Sequence, residues 1–527
     1  MNRIYMVLLA LVLSATTAYA GWSGATADRH ISYYSGDGLR GWISRITVGP
    51  EGNLYAIWLQ DITSSTREIA FGRSTDNGVT WSSETLDVII AAPDSQNPPY
   101  NSLEKWYGIA TDSYGNIYVV WAEDLVDTYE IMLLKSTDLG LTWIHSDTDF
   151  NVSYDGLPYQ NASDPDIAVD NNDNIYVVWH QRTDIDTTEI HISISTDLGA
   201  SWSGRSADRQ ISFSSGHNAS VSDITVAPNN DIYVVWGERT GSLSTTARLQ
   251  YGKSTDAGAT FNSETADLPI TTQVYDAEGP YIITDTSGNI HVAFRGSTAP
   301  ASPYLVEILY TGSTDAGATW SGNTAPILID PGRGDGRSAQ RHAIAVTSEN
   351  NLVAVWNETP DTMDYSEIWA SYSTDGGNSW SGTVEADLIS YPDSFSAFAP
   401  DVIAGVGDTL HVIWHEPFAG GTTHHDIHYS KGDTLATSGG GPGGCDYVVG
   451  DVNGSDSYNG LDITYGVAYL KGGNAPLCEP CQPCPDWHYC GDVNGSCSYN
   501  GLDITYGVNY FKGGADPIPC GDCPPNP

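Results

Sequence analysis

The apolar positions of the chain fall into one pattern that returns seven times. A run of β-branched and aromatic residues, Asn-Ile-Tyr-Val-Val-Trp or a close variant, starts at Asn53, Asn116, Asn174, Asp231, Asn289, Asn351 and Thr409. Each run stands behind a Gly/Asn/Asp turn and reads as a buried strand. A shorter apolar segment such as Asp166-Ile167-Ala168-Val169 precedes it, and one such as Glu189-Ile190-His191-Ile192-Ser193 follows. That third segment leads into an octapeptide, S-T-D-x-G-x-(T/S)-aromatic, found at Ser74–Trp81, Ser136–Trp143, Ser195–Trp202, Ser254–Phe261, Ser313–Trp320 and Ser373–Trp380. A fourth strand is expected to begin at the terminal aromatic. One repeat is then four antiparallel strands, the unit of a propeller blade.

The octapeptide count is one short of the strand count, and the difference locates the ring closure. The seventh set of strands ends in Ser430-Lys431-Gly432-Asp433-Thr434, with no fourth strand behind it. At the other end, Trp22-Ser23-Gly24-Ala25-Thr26-Ala27-Asp28-Arg29-His30-Ile31-Ser32 matches Trp202-Ser203-Gly204-Arg205-Ser206-Ala207-Asp208-Arg209-Gln210-Ile211-Ser212, which follows the third octapeptide. The N-terminal segment therefore supplies the outer strand of the last blade. The expectation is an all-β, seven-bladed β-propeller over 21–436. Within the octapeptide the Asp carboxylate can take N–H bonds from its own turn, the Gly permits positive φ, and the aromatic packs between sheets. It is read as a turn that stabilises the fold.

Export is the second expectation. Met1–Ala20 has a single basic residue, Arg3, an apolar run from Ile4 to Leu13, and Ala18-Tyr19-Ala20 before Gly21, the layout of a signal peptide. Ten apolar residues fall short of the roughly 20 that span a bilayer. The chain is thus expected to be secreted, extracellular or cell-surface associated, with no membrane span. Its 65 acidic against 21 basic residues give a net charge of −44, which excludes nucleic acid and anionic membrane surfaces as partners. With 16 Trp and 31 Tyr it is no disordered acidic tail.

Beyond a Gly-rich linker at 437–444 the chain changes character, and all eight cysteines lie after residue 444. Ser457-Tyr458-Asn459-Gly460-Leu461-Asp462-Ile463-Thr464-Tyr465-Gly466-Val467 recurs unchanged as Ser498–Val508, and Gly450–Ser455 recurs as Gly491–Ser496. Asp451, Asn453, Ser455, Ser457, Asn459 and Asp462 occupy loop positions 1, 3, 5, 7, 9 and 12. Asp492, Asn494, Ser496, Ser498, Asn500 and Asp503 repeat them. Hard oxygen ligands at that spacing suit two Ca²⁺ ions, and the apolar residues from Leu461 onwards suit a short helix. Cys445, Cys478 and Cys481 surround the first copy, Cys490, Cys520 and Cys523 the second, with Cys484 and Cys497 over. Export favours disulfides over a zinc knuckle, and the pairing is not readable from spacing.

The octapeptides resemble the Asp boxes (BNR repeats) of the sialidase superfamily, over most of 22–436. The duplicated loops over 445–527 resemble a type I dockerin, whose paired loop-helix repeats bind Ca²⁺ and dock onto cohesin modules. Asp at position 12 fits dockerins. Ser at position 5, the lack of Gly at position 6, and Gly460-Leu461 and Gly501-Leu502 at the partner-reading positions depart from their usual pattern. The first resemblance implies chemistry on the face opposite the octapeptides, where the loops enter strand one and leave strand two. There an arginine triad clamps a substrate carboxylate, a Tyr polarised by a Glu is the nucleophile, and an Asp is the acid/base.

The candidates here are residues that break the repeat. Arg45-Ile46-Thr47 is the nearest match to the family's Arg-Ile-Pro. Arg295 follows Phe294, and the loop Pro331–His342 holds Arg333, Asp335, Arg337, Arg341 and His342. Glu278-Gly279-Pro280-Tyr281 offers a Tyr/Glu pair, and Asp401 takes the matching place in blade seven. The expectation is an anion pocket around Arg45, Arg295 and Arg341, with Tyr281, Glu278 or Asp401 supplying chemistry. The competing reading pairs these arginines with nearby carboxylates. Two residues after the repeated Trp, by contrast, stand Gln60, Glu123, Gln181, Glu238, Glu358 and Glu416, with Gly296 in blade five. So regular a position reads as a structural device. Two carboxylates across a cleft are a second route to glycan hydrolysis, and Tyr33, Tyr34, Tyr100, Tyr154, Tyr159 and Tyr391 suit stacking on sugars. Sialidase-like or endo-acting glycoside hydrolase, non-catalytic lectin, and adhesion or surface-structure propeller with a protein partner all remain open.

Overall fold

Each of the seven apolar runs forms the second strand of its own antiparallel sheet. The computed structural model describes residues 22–23, 29–32, 40–63, 66–84, 87–91, 107–125, 128–144, 150–153, 161–184, 187–205, 208–213, 216–239, 247–271, 275–297, 306–321, 326–330, 339–359, 365–381, 386–392, 395–417, 425–432, 452, 460–471, 493 and 500–512. The signal-peptide stretch, the linker at 437–444 and all eight cysteines lie outside them. Residues 21–434 make one compact unit, and the C-terminal helices belong to another.

The first strands of blades one to seven are Gly41–Val48, Tyr107–Thr111, Ala162–Val169, Asn218–Val226, Tyr275–Thr284, His342–Val346 and Phe398–Ala404. They pack neighbour against neighbour, and that of blade seven packs on that of blade one, so they surround the axis of a closed seven-bladed propeller. The last blade is closed by the N-terminal segment as expected. Arg29 and His30 pair with Tyr429 and His428, and Trp22 bridges Gly432. Trp22 also donates its Nε1 hydrogen to Tyr372 Oη in blade six, at 2.7 Å. The core lies between blades; Ile413, Ile427 and Tyr429 of blade seven, for example, pack with Ile46, Trp58 and Ala70 of blade one.

The fourth strands differ from the sequence expectation. They do not begin at the octapeptide aromatic. In blades one, three and four a 3₁₀ turn intervenes (Ser82–Glu84, Ser203–Arg205, Asn262–Glu264). Where a fourth strand forms it is only two residues long, as at Val88–Ile89 and Asp387–Leu388. In blade four an isolated Gln250–Pro269 bridge stands in its place among the described residues. The aromatic turns inward: Trp81 meets Tyr429 edge-on at 5.4 Å between ring centres, and Trp320 meets Tyr251 at the same separation. A serine of the 3₁₀ turn then anchors the segment, as Ser263 Oγ does by donating to Ile211 C=O at 2.7 Å.

The turns themselves behave as read. Asp76 accepts from the Thr80 hydroxyl at 2.6 Å and the Thr80 N–H at 2.8 Å, and Ser74 Oγ accepts from Gly78 N–H at 2.9 Å. Gly78 has φ +81°, and a Cβ there would strike the Tyr429 hydroxyl. The residues two places past the repeated Trp also have the predicted structural role. Indole Nε1 donates to Gln60 (3.0 Å), Gln181 (2.7 Å), Glu358 (3.1 Å), Glu416 (2.9 Å) and Glu123 from the Trp two residues earlier. Each such Trp is fully buried, so the indole N–H needs an acceptor. Blade four departs from this, as described below.

The C-terminal unit holds α1 (Gly460–Leu470) and α2 (Gly501–Tyr510), packed on one another. Asn500 caps α2 by accepting from Leu502 N–H, and Asp503 accepts in return from Asn500 N–H at 2.8 Å, a capping box. No helix among the described residues is long and apolar enough to cross a membrane.

Candidate anion cleft at the propeller mouth

Strand register places seven residues in one column around the axis. Arg45, Gly108, Asp166, Asp223, Tyr281, Ala343 and Asp401 face Ile57, Val120, Val178, Val235, Ala293, Val355 and Ile413 on their second strands. The three aspartates stitch blades together. Asp166 accepts from Ile224 N–H (3.1 Å), Asp223 from Ile282 N–H (2.5 Å) and Asp401 from Ile46 N–H (2.9 Å), each in the next blade. Three carboxylates near one axis need a counter-charge, and Arg45 supplies it. Its Nη1 donates to Tyr281 Oη at 2.6 Å and lies 3.8 Å from Asp401, and its guanidinium sits 5.0 Å from the Tyr281 ring centre. Burial works against the charge on Arg45. Tyr281 and Asp401, then Asp166 and Asp223, outweigh it and hold the pKa above the ordinary arginine value. Burial likewise raises Tyr281, against the pull of Arg45, so its phenol keeps its proton at neutral pH.

The strand entries above this ring are bulged. In five blades the register shifts just before the ring residue. A residue of the bulge adopts positive φ: Ile43 (38°), Asp164 (50°), Val221 (51°), Gly279 (56°) and Ala399 (50°). Only one is glycine, so the strain, roughly 1–3 kcal/mol at each such residue, is held by the surrounding blade. Bulges re-aim side chains at a rim. Here they shape a cleft lined by Ile43, Arg45, Tyr281, Arg295, Arg341 and His342, with Ser44, Gly279, Ala399 and Pro400 completing the wall. His342 meets Tyr281 edge-on at 5.2 Å. His415 beneath accepts from Ile43 N–H at 3.2 Å. Burial, then His425 and Arg341, pushes its pKa well below the usual value, so it is neutral.

The structure thus brings Arg45, Arg295, Arg341 and Tyr281 to one cleft, with Asp401 joined to Arg45. Glu278 turns to Arg295 (3.1 Å) and to Arg239, while the Tyr281 hydroxyl takes its bond from Arg45. Arg333, Asp335, Arg337, Tyr33, Tyr34, Tyr100, Tyr154 and Tyr159 lie outside the described residues; Tyr391 is exposed. Asp166 and Asp223 escaped the sequence reading, although both precede the same apolar segment as Asp401 and were visible in a column alignment. In the C-terminal unit Asp451, Asn453, Ser455, Ser457, Asn459, Asp492, Asn494, Ser496 and Ser498 lie outside the described residues, and only the backbone of Asp462 is described. The buried Asp503 carboxylate points back into its loop, accepting from Val493 N–H (3.2 Å) and Asn500 N–H. That orientation and the all-oxygen donor set fit a calcium loop.

No family model matches the chain, and no curated protein matches it in sequence. Solved structures do. An ulvan lyase of a polysaccharide lyase family, bound to a ligand of glucuronic acid and 3-sulfated rhamnose, aligns at TM-score 0.52 and 11% identity. The alignment covers 76% of this chain and 95% of that one. An α-L-arabinanase from Penicillium chrysogenum follows at 0.43 and 14%, covering 78% and 98%. A leech intramolecular trans-sialidase gives 0.40 and 13%, covering 80% and 71%. The likeness is one of fold. The site therefore has to be argued from its own residues.

Proposed function

We propose that the propeller is a secreted, glycan-active protein whose mouth cleft takes an acidic sugar. The observation that carries this is that Arg295 and Arg341 stand on the wall of one cleft, which Arg45 also lines, in a chain with 21 basic residues against 65 acidic. Guanidinium forks suit carboxylate and sulfate groups. The ulvan lyase of like fold holds a ligand bearing such groups, and a uronate, a sulfated sugar or a sialic acid is the matching ligand class here. Binding is the leading activity, because Asp401 and Glu278 already serve backbone or arginine donors and neither stands ready as acid or base. Cleavage is the second reading, favoured by His342 beside the protonated Tyr281. Titration of the full chain against uronate-, sulfate- and sialate-bearing oligosaccharides tests the proposal, with product analysis in parallel. Arg341→Ala is expected to lose binding at least tenfold. Absence of binding to every acidic glycan overturns the reading, and absence of products from all of them, sialosides included, ends the hydrolase version.

We further read the octapeptides as Asp boxes of the sialidase superfamily and the C-terminal unit as a dockerin-like module that tethers the propeller to a cohesin-type partner. Asp451, Asn453, Ser455, Ser457, Asn459 and Asp462 would hold one Ca²⁺, and Asp492, Asn494, Ser496, Ser498, Asn500 and Asp503 the other. Each ion would fix its loop against the following helix. Calorimetry of the full chain with Ca²⁺ is expected to show two sites, one of them lost in Asp503→Asn.

A further inference from the structure

Blade four breaks a device that five other blades keep. Its Trp236 is buried, yet the indole Nε1 has no hydrogen-bond partner among the described residues. Glu238, two places on, is turned away from it. The Glu238 carboxylate instead accepts from Gln250 Nε2 at 2.6 Å and lies 3.9 Å from His217 Nδ1. That last distance is too long for a hydrogen bond. Asp267 completes the group: one ligand atom each from His217, Glu238 and Asp267 lies within 4.8 Å of the other two. Gln250, 4% exposed, is bonded to this cluster through its amide nitrogen, while its Oε1 is buried with no donor among the described residues. An imidazole and two carboxylates this close, with a buried acceptor left without a donor on the side chain bonded to them, point to a cation.

We propose that His217, Glu238 and Asp267 form a site for a divalent metal ion of the zinc class. One imidazole with two carboxylates is a ligand set that zinc accepts, at about 2.0–2.2 Å per ligand, with its fourth position open to water. Tetrahedral ligands at those lengths stand about 3.3 Å apart, so the three atoms close in by an ångström or so. His217, with a side chain 35% exposed, is free to make most of that movement. The charge favours it too. Glu189 of blade three faces the same cluster. Burial, despite the hydrogen bond from Ser212 and with help from Glu238 and Asp267, pushes Glu189 up to about 7. A dication at the site would favour its ionised form. The site lies where strand one of blade four begins and strand two ends, on the face of the mouth. Arg239, the residue after Glu238, carries the ion pair through Glu278 to Arg295 of the cleft.

The test uses the full-length protein stripped with a chelator and dialysed, then titrated with Zn²⁺ alone, with His217→Ala and Asp267→Asn treated identically. Wild type is expected to bind one equivalent more than either variant, because losing a direct ligand costs more than the roughly 10–100-fold that losing a supporting partner does. Zn²⁺ should raise the melting temperature of the propeller in wild type and leave it unmoved in both variants. The variant comparison cancels any zinc taken by the C-terminal cysteines or loops. Co²⁺ gives a second check: a visible spectrum lacking thiolate charge transfer, present in wild type and absent in both variants. Equal zinc stoichiometry in wild type and the two variants overturns the proposal and leaves His217 and Glu238 as neighbours only. Melting the variants without metal identifies any that fails to fold, and the remaining one then decides.

Discussion

Arg45→Met is the perturbation that most directly tests the axial ring. The side chain keeps its length and loses its charge, leaving Asp166, Asp223 and Asp401 around the axis without their cation. Arg45 and Asp401 are 3.8 Å apart, with side chains each 12% exposed. At an effective dielectric of about 20, their attraction alone is worth about 4 kcal/mol. Removing one member of such a buried pair costs about 3–5 kcal/mol, since the other charge stays behind in poor solvent. A unit spanning residues 21–434 unfolds with about 2.1 cal/mol/K of entropy per residue, so each kcal/mol moves the melting temperature by only about 1 °C. The expected fall is therefore about 3–6 °C, which scanning calorimetry at neutral pH resolves. The double variant Arg45→Met/Asp401→Asn should recover much of it, because the stranded charge is gone and the Asn oxygen still accepts from Ile46 N–H. A variant Arg45→Met that melts with wild type, or a double variant no better than the single, would refute the balancing argument.

Two further outcomes follow from the turns and the ring closure. Hydrogen bonds from the Thr80 hydroxyl and N–H hold Asp76 at about 2, and those of Thr260 hold Asp256 at about 2; Asp138, Asp197, Asp315 and Asp375 are lowered in the same way. Their folded values lie below the unfolded carboxylate value. This stabilisation is therefore complete above about pH 4 and disappears as pH falls towards 2. Thermal melts of wild type and Asp76→Asn should differ at pH 7 and converge near pH 2; a gap independent of pH would sink that account. Trp22→Ala removes a buried indole that closes blade seven on blade six, at a cost of about 3–5 kcal/mol. Calorimetry should show a melting point several degrees lower, with proteolysis starting at the freed 425–432 strand, and a melt within a degree of wild type would show that the ring closes without it.

The blade count, the closing strand and the structural role of the residues after each Trp were legible because every one of them is a repeat property. A column filled alike in most blades reports what the fold needs there. The fourth strands were misplaced because hydropathy marks the aromatic at the octapeptide end without saying that its ring turns inward. The chain then spends a 3₁₀ turn before pairing again. The bulges were illegible for a different reason. Nothing in Trp42-Ile43-Ser44 or Ser220-Val221-Ser222 signals positive φ, a conformation that β-branched residues adopt only when the surrounding structure imposes it. Arg45, Arg295, Arg341 and Tyr281 were found together because each breaks its column, whereas the turning of Glu238 away from Trp236 leaves no trace in a column where Glu is the common residue.

Column logic also separates the arginines by task. Arg45 stands in the ring position itself, facing three aspartates whose carboxylates bind the next blade's backbone, so its charge is committed to holding the axis. Arg295 and Arg341 stand outside that column, on the wall that the bulges expose. If the cleft takes an acidic sugar, substitution should divide along the same line. Arg341→Ala should lose ligand with little change in melting temperature, and Arg45→Met should lose stability first. The order of those two effects distinguishes an anion site built on top of a balanced axis from one in which all three arginines clamp the ligand together. In the second case Arg45→Met/Asp401→Asn, though restored in stability, would bind no better than Arg341→Ala; in the first it should bind nearly as wild type does.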